Sequence, residues 1–73
     1  MAVTNAVERA ARAMYANIAP DWDWDEPDAE PMRHMYRENA RVVLTTIRDP
    51  GVPMDAPALA AWQAVIDAML AEA

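Results

Sequence analysis

Residues 21–28, DWDWDEPD, place five acidic residues and two tryptophans in eight positions. Carboxylates at alternate positions could bind calcium, because EF-hand loops take ligands from positions one, three and five. Those three positions are occupied here by Asp21, Asp23 and Asp25. The rest of the loop does not match, since Glu26 stands where the motif needs glycine and Met32 stands where it needs a bidentate glutamate. The sequence therefore predicts no calcium site in this stretch.

Other residues that could do chemistry are few, because the chain has one histidine, no serine and no cysteine. His34 lies four residues from both Glu30 and Glu38, a spacing that puts three candidate metal ligands on one helix face. Three ligands from one helix, without support from a second element, would bind a metal weakly. We therefore predict that the protein is not an enzyme and has no catalytic residue, metal site or cofactor.

If the acidic stretch binds no metal, two interpretations of its role remain. In an extended conformation, Trp22 and Trp24 would point to one side and the aspartates to the other, so both indoles could cover a small core. Alternatively, at least one tryptophan stays exposed as a hot spot, and the carboxylates steer a basic protein partner toward it. The candidate partner-binding residues are Asp21, Trp22, Asp23, Trp24, Asp25, Glu26 and Asp28.

A second candidate surface is a row of arginines in the segment that follows. At the helical angle per residue the row spans an arc of about 80° and could contact phosphates. The competing interpretation is an ion-paired, solvated face neutralised by the preceding acids. Because the net charge is −6, we expect a protein partner more than direct nucleic-acid binding. The row consists of Arg33, Arg37, Arg41 and Arg48.

Three segments with helical periodicity must position these residues, at about residues 5–19, 29–48 and 56–72. The predicted N-caps are Asn5, Asp28 and Asp55. The first helix is expected to end before Pro20, and Pro50-Gly51 favours a type II turn after the second.

Each predicted helix has an apolar stripe. The stripes are Val3, Val7, Ala10 or Ala11, Met14 and Ile18; Met32, Met35 or Tyr36, Ala40, Val43 and Ile47; and Leu59, Trp62, Ile66, Met69 and Leu70. They predict an all-α protein, a compact three-helix bundle with an acidic, tryptophan-containing linker between its first two helices. The back face of the third helix is either a plain solvated surface or a homodimer seam, and consists of Ala60, Ala64, Ala68 and Ala71.

Length and composition narrow the class of protein. The chain has 73 residues, which predicts one domain, and no cysteine for a disulfide. No window is long and apolar enough to span a membrane, and the N-terminal residues do not resemble a signal peptide. We therefore expect a cytoplasmic protein that does not bind membranes.

Residues 7–44 resemble short uncharacterised helical proteins of bacteriophages and high-GC bacteria. The resemblance rests on the run VERAARAMY, the linker of tryptophan and acids, and the segment RHMYRENARVVL. The matching positions are Arg9, Ala10, Ala11, Tyr15, Trp24, Arg33, Tyr36, Arg37, Ala40, Arg41 and Leu44. It implies a small helical accessory protein encoded by a phage, and implies no catalytic residue.

Three hypotheses about function follow. The first is a small acidic interaction module, in its most concrete form a phage-encoded inhibitor of a host nucleic-acid-handling or defence (CRISPR-type) complex. The second is a nucleic-acid-binding regulator that uses the arginine row. The third is a structural or assembly component whose partner completes a marginal core.

Overall fold

The computed structural model describes residues 5–72, whose regular secondary structure is all helical, without a β-strand. The helices are α1 (Ala6–Asn17), α2 (Glu30–Ile47) and α3 (Ala56–Ala71), and a short 3-10 turn, Pro27–Ala29, leads directly into α2. The all-α prediction is therefore confirmed, and the helix bounds lie within two residues of the predicted ones.

Two of the three predicted N-caps are confirmed. The Asn5 side chain accepts a hydrogen bond from the Glu8 backbone N–H at 2.8 Å, and Asp55 accepts one from Ala58 at 2.8 Å. The prediction for Asp28 is wrong, because α2 begins without a side-chain cap. Asp28 lies inside the 3-10 turn, where the Ala29 N–H already bonds the Glu26 carbonyl at 2.9 Å.

Two residues with positive φ reverse the chain. Gly51 has a φ of 70°, as the third residue of the predicted type II turn requires, and its N–H donates to the Asp49 side chain at 3.1 Å. Ala19 has a φ of 50° and follows the end of α1. An alanine in this conformation is strained, and Pro20 follows it immediately, so α1 cannot continue.

The main core lies between α1, α2 and the linker that joins them. Small residues, Ala11 on α1 and Ala40 on α2, are both fully buried in it and allow the helices to approach closely. Larger residues surround them. The buried members of the cluster are Val7, Ala11, Tyr15, Trp24 and Ala40, with Ala10, Met14, Met32, Tyr36 and Leu44 packed against it.

The predicted stripes are partly wrong on α1 and α2. Ile18, Val43 and Ile47 are exposed, as is Met35, whereas Tyr15 is buried. The buried face of α2 is rotated toward the side that meets α1, because α3 does not cover the other side. Val3 lies outside the described residues.

The third helix docks at one end of the α1–α2 pair. Its Trp62 indole donates to the Ile47 carbonyl at 2.7 Å, and its Asp67 accepts two hydrogen bonds from Arg48. Of its predicted stripe, Ile66 is buried and the other four residues are half-buried, whereas the alanine face is exposed.

The molecule is elongated, with extents of 45 × 27 × 16 Å. Its radius of gyration is 14.4 Å, compared with about 11 Å for a compact domain of this length. The prediction of a compact bundle is therefore not confirmed, because the α3 contacts are confined to one end and leave part of α2 uncovered.

We predict that Ala40→Leu lowers the free energy of unfolding by about 1–3 kcal/mol, because the enlarged side chain would overpack the α1–α2 contact. Urea unfolding followed by circular dichroism measures this. The matched control is Ala64→Leu on the exposed face of α3, which should unfold like the wild type. Equal midpoints for the two variants would contradict the placement of Ala40.

Candidate functional site

The candidate site is the acidic loop, residues 21–28, which connects α1 to α2 and includes most of the 3-10 turn. The loop is not extended, since the Glu26 N–H bonds the Asp23 carbonyl at 3.0 Å and closes a turn. The expectation that Trp22 and Trp24 share one side is therefore wrong. Trp24 is 8% exposed and Trp22 is 54% exposed.

Trp24 fixes the loop to α1 and α2. Its ring packs edge-on against Tyr15 of α1, with ring centroids 5.4 Å apart, and the Arg37 guanidinium of α2 lies 5.5 Å from its centroid. The indole N–H donates to Glu8 Oε1 at 3.0 Å. Because its polar atom has a partner, Trp24 can be buried without an unsatisfied donor.

The loop backbone is held at three further carbonyl oxygens. Arg33, whose side chain is only 14% exposed, donates from Nη1 to the carbonyls of Trp24 at 2.6 Å and Glu26 at 2.7 Å. The Tyr15 hydroxyl donates to the carbonyl of Trp22. These bonds use backbone acceptors of the loop and leave its carboxylates free.

The carboxylate that joins the parts is Glu8 on α1. It accepts hydrogen bonds from Arg37 Nε at 2.6 Å and Arg37 Nη2 at 3.1 Å, in addition to the one from Trp24. Hydrogen bonding to Arg37 lowers the pKa of the Glu8 carboxyl, opposed by burial and assisted by the Trp24 N–H, and the same bond raises the pKa of Arg37. In the sequence, Glu8 lies opposite the apolar stripe of α1, and only its position three residues after Asn5, the spacing of a capping box, distinguishes it.

The exposed part of the loop presents an indole among acids. Trp22 lines two shallow, open grooves of about 640 and 390 Å³, the smaller of which also contains Ile18 and Met32. The five acidic side chains of the loop are all exposed: Asp21, Asp23, Asp25, Glu26 and Asp28. Of these five, only Asp25 forms an ion pair within residues 5–72, with Arg12 at 3.9 Å. The candidate partner-binding residues are thus exposed, except for Trp24.

The arginine row does not form a free cationic surface. Arg37 pairs with Glu8 and Glu30, Arg33 with Glu30, Arg41 with Glu38, and Arg48 with Asp67. The row is therefore ion-paired, as the competing interpretation expects, but it is not fully solvated, because only Arg48 is exposed and the other three are half-buried. The expectation that the acids of the preceding loop neutralise the row is wrong, because the neutralising carboxylates lie on the three helices.

Residues 5–72 contain no group of three histidine or acidic side chains arranged to hold a metal ion. Glu30 and Glu38, which lie four residues before and four residues after His34, instead form ion pairs with arginines of α2. Over the same residues, no helix is long and apolar enough to cross a membrane.

Comparison of the chain with protein-family models, with curated proteins and with solved structures found no match. The resemblance of residues 7–44 to short helical proteins of bacteriophages and high-GC bacteria thus stays a prediction from the sequence.

We predict that Glu8→Gln lowers the free energy of unfolding at pH 7 by about 1–2 kcal/mol, since it removes a partly buried charged pair while keeping an oxygen for Trp24. The pKa of Glu8 is lowered in the folded state, so its stabilisation is present above the ordinary value of 4.5 and is lost as the pH falls through the folded pKa. The difference between variant and wild type, measured by urea unfolding, should therefore shrink as the pH is lowered below 4.5.

The control is Asp67→Asn, which breaks an ion pair of the same two-bond geometry that is more exposed. It should destabilise the protein less than Glu8→Gln at pH 7. A Glu8→Gln variant as stable as the wild type at pH 7 would contradict the role of Glu8.

Proposed function

We propose that this chain is a small non-enzymatic interaction module that binds a protein with a basic surface through the acidic loop. The observation that carries the proposal is Trp22, a large apolar side chain left 54% exposed on a loop that is otherwise fastened down. Tryptophans are enriched among the residues that dominate binding energy at protein interfaces. The loop therefore has an anchor for a partner as well as charge.

Rigidity supports this use of the loop. Tyr15 of α1 and Arg33 of α2 donate to backbone carbonyls of the loop, and the Trp24 side chain of the loop donates to Glu8 of α1, so Trp22 is presented from a fixed platform. A preorganised surface loses little conformational entropy on binding, and more of the contact energy becomes affinity. The helices thus serve to display the loop.

The exposed carboxylates of the loop indicate the class of partner. Acidic side chains accelerate encounter with a basic surface and can occupy a groove that otherwise binds phosphates. A nucleic-acid-binding protein fits this description. The narrower hypothesis, a phage-encoded inhibitor of a host nucleic-acid-handling or defence complex, is one form of the same proposal and adds the source of the chain and the identity of the target.

We expect Trp22→Ala to weaken binding to the partner about tenfold or more, because the variant loses the central apolar anchor but keeps the charge. Affinity capture from host-cell lysate identifies the retained protein, and biolayer interferometry then measures its Kd. The matched control is Val52→Ala, a truncation at a residue 60% exposed in the α2–α3 connection. Equal affinity of both variants would contradict the proposal.

Biolayer interferometry of a variant with Asp21, Asp23 and Asp25 changed together to Asn separates the contribution of the loop's charge to binding from that of its shape. This variant should associate more slowly at low salt and converge on the wild type at high salt, where charges are screened. A partner retained equally by all variants would indicate a different surface.

The alternative of a nucleic-acid-binding regulator has less support, because its arginines already donate to carboxylates and carbonyls of the same chain. Phosphate binding would have to break these pairs and overcome a net charge of −6. The third hypothesis, an assembly component, is favoured by the partly covered α2.

We therefore predict no mobility shift of double-stranded or single-stranded DNA at about 50 mM salt, where phosphate contacts are strongest. Glu38→Gln is the informative companion variant, since it releases Arg41 from its partner. A shift by the wild type that Arg37→Gln or Arg41→Gln abolishes would support the nucleic-acid hypothesis instead.

A further inference from the structure

The smaller of the two grooves at Trp22 is apolar. It has a volume of about 390 Å³ and is also lined by Ile18, which follows α1, and by Met32 of α2. Ile18 is 51% exposed, nearly as much as Trp22, so solvent reaches large apolar side chains on two walls of the groove. Asp21 also lines the groove. A concave apolar surface with few polar groups is the kind of site that takes up an apolar side chain of a ligand.

The larger groove, of about 640 Å³, shares Trp22 with the smaller one and is acidic. Asp23 and Asp25 line it together with Arg12. Arg12 lies 3.9 Å from Asp25, and the two side chains are 48% and 85% exposed, so this ion pair is long and solvated. Two carboxylates against one guanidinium leave the groove complementary to a further cation.

The chain itself contains an example of an indole and a carboxylate that hold one guanidinium. The Arg37 guanidinium lies 5.5 Å from the centroid of the Trp24 ring, while its Nε and Nη2 donate to Glu8. A planar guanidinium can stack on a ring and donate two parallel hydrogen bonds to a carboxylate, whereas the ammonium group of lysine cannot. The larger groove exposes the same two kinds of group, the indole of Trp22 and carboxylates.

We propose that the two grooves bind an extended segment of the partner protein in which an arginine and a large apolar residue are neighbours in sequence. The arginine stacks on Trp22 and donates to Asp23 or Asp25 in the larger groove. The apolar residue enters the smaller groove, against Ile18 and Met32. Successive side chains of an extended segment point to opposite sides, so neighbouring residues can reach two grooves that meet at one indole.

This inference rests on the proposed function, since it requires that the acidic loop binds a basic protein. It adds which side chains of that protein the loop recognises. Long-range attraction between opposite charges does not distinguish arginine from lysine, because both carry one positive charge. Stacking and paired hydrogen bonds do distinguish them.

The probe is an acetylated and amidated six-residue peptide with alternating leucine and arginine, compared with a version that has lysine in place of arginine. Titration at low salt, followed by NMR of the backbone amides of residues 21–28, measures the Kd of each peptide. The arginine peptide should bind about two- to fivefold more tightly, as expected for stacking on an exposed indole. A third version with glycine in place of leucine should bind about threefold more weakly or worse, because it leaves the apolar groove empty.

Variants of the loop locate the arginine. Asp23→Asn should weaken binding of the arginine peptide about two- to fivefold, the range of an exposed ion pair. The matched control is Asp28→Asn, the same change at an exposed acid of the same loop that lines neither groove, and it should weaken binding less. Arg12→Gln should strengthen binding about twofold, because it removes a competing cation. Trp22→Leu should abolish the preference for arginine over lysine.

Equal affinity for the arginine and lysine peptides, or equal losses in Asp23→Asn and Asp28→Asn, would overturn the inference. Either result would mean that the loop attracts basic proteins by its charge alone, and the proposed function would stand. A peptide that leaves the loop amides unshifted at millimolar concentration would also overturn the inference. The proposed function fails separately, if the partner captured from lysate binds Trp22→Ala as tightly as the wild type.

Discussion

The structure depends on one carboxylate, Glu8, which joins three parts of the chain. It lies on α1, receives two hydrogen bonds from Arg37 of α2 and one from the Trp24 indole of the loop. Ion pairs on a protein surface contribute little, but this one is partly covered and has its geometry fixed on both sides. The same residues close the core, because Arg37 lies against the ring of Trp24 and Trp24 packs on Tyr15. A single polar cluster thus holds the loop in a defined conformation on a small core that has no disulfide.

The two tryptophans of the loop consequently have different roles. The Trp24 side chain and the backbone carbonyls of the loop form the hydrogen bonds that hold the loop on the helices, whereas the Trp22 side chain and the acidic side chains stay exposed. The four arginines of the row pair with carboxylates of the helices, and four of the five loop carboxylates form no ion pair within residues 5–72.

Local signals in the sequence predicted the helices well. Periodicity placed all three, and Asn5, Asp55 and Gly51 have the cap and turn conformations expected of them. The loop could not be predicted, because alternation of residues says which side chains would share a face only if the chain is extended. The turn at Asp23–Glu26 and the long-range bonds from Glu8 and Arg33 arise from tertiary contacts. The exposed side of α2 was assigned to the core for a similar reason, since an apolar stripe does not tell whether a neighbouring helix covers it.

The central claim is that the loop is rigid, with Trp24 anchored and Trp22 presented to solvent. The direct measurement is NMR of the three tryptophan indole N–H groups and of the backbone amides of residues 21–28. The account predicts slow hydrogen exchange for Trp24 and Trp62, whose indoles donate to protein acceptors, and fast exchange for Trp22. Backbone order parameters of the loop should approach about 0.85, the value of rigid helices. Equally fast exchange at Trp22 and Trp24, with order parameters below about 0.6, would contradict it.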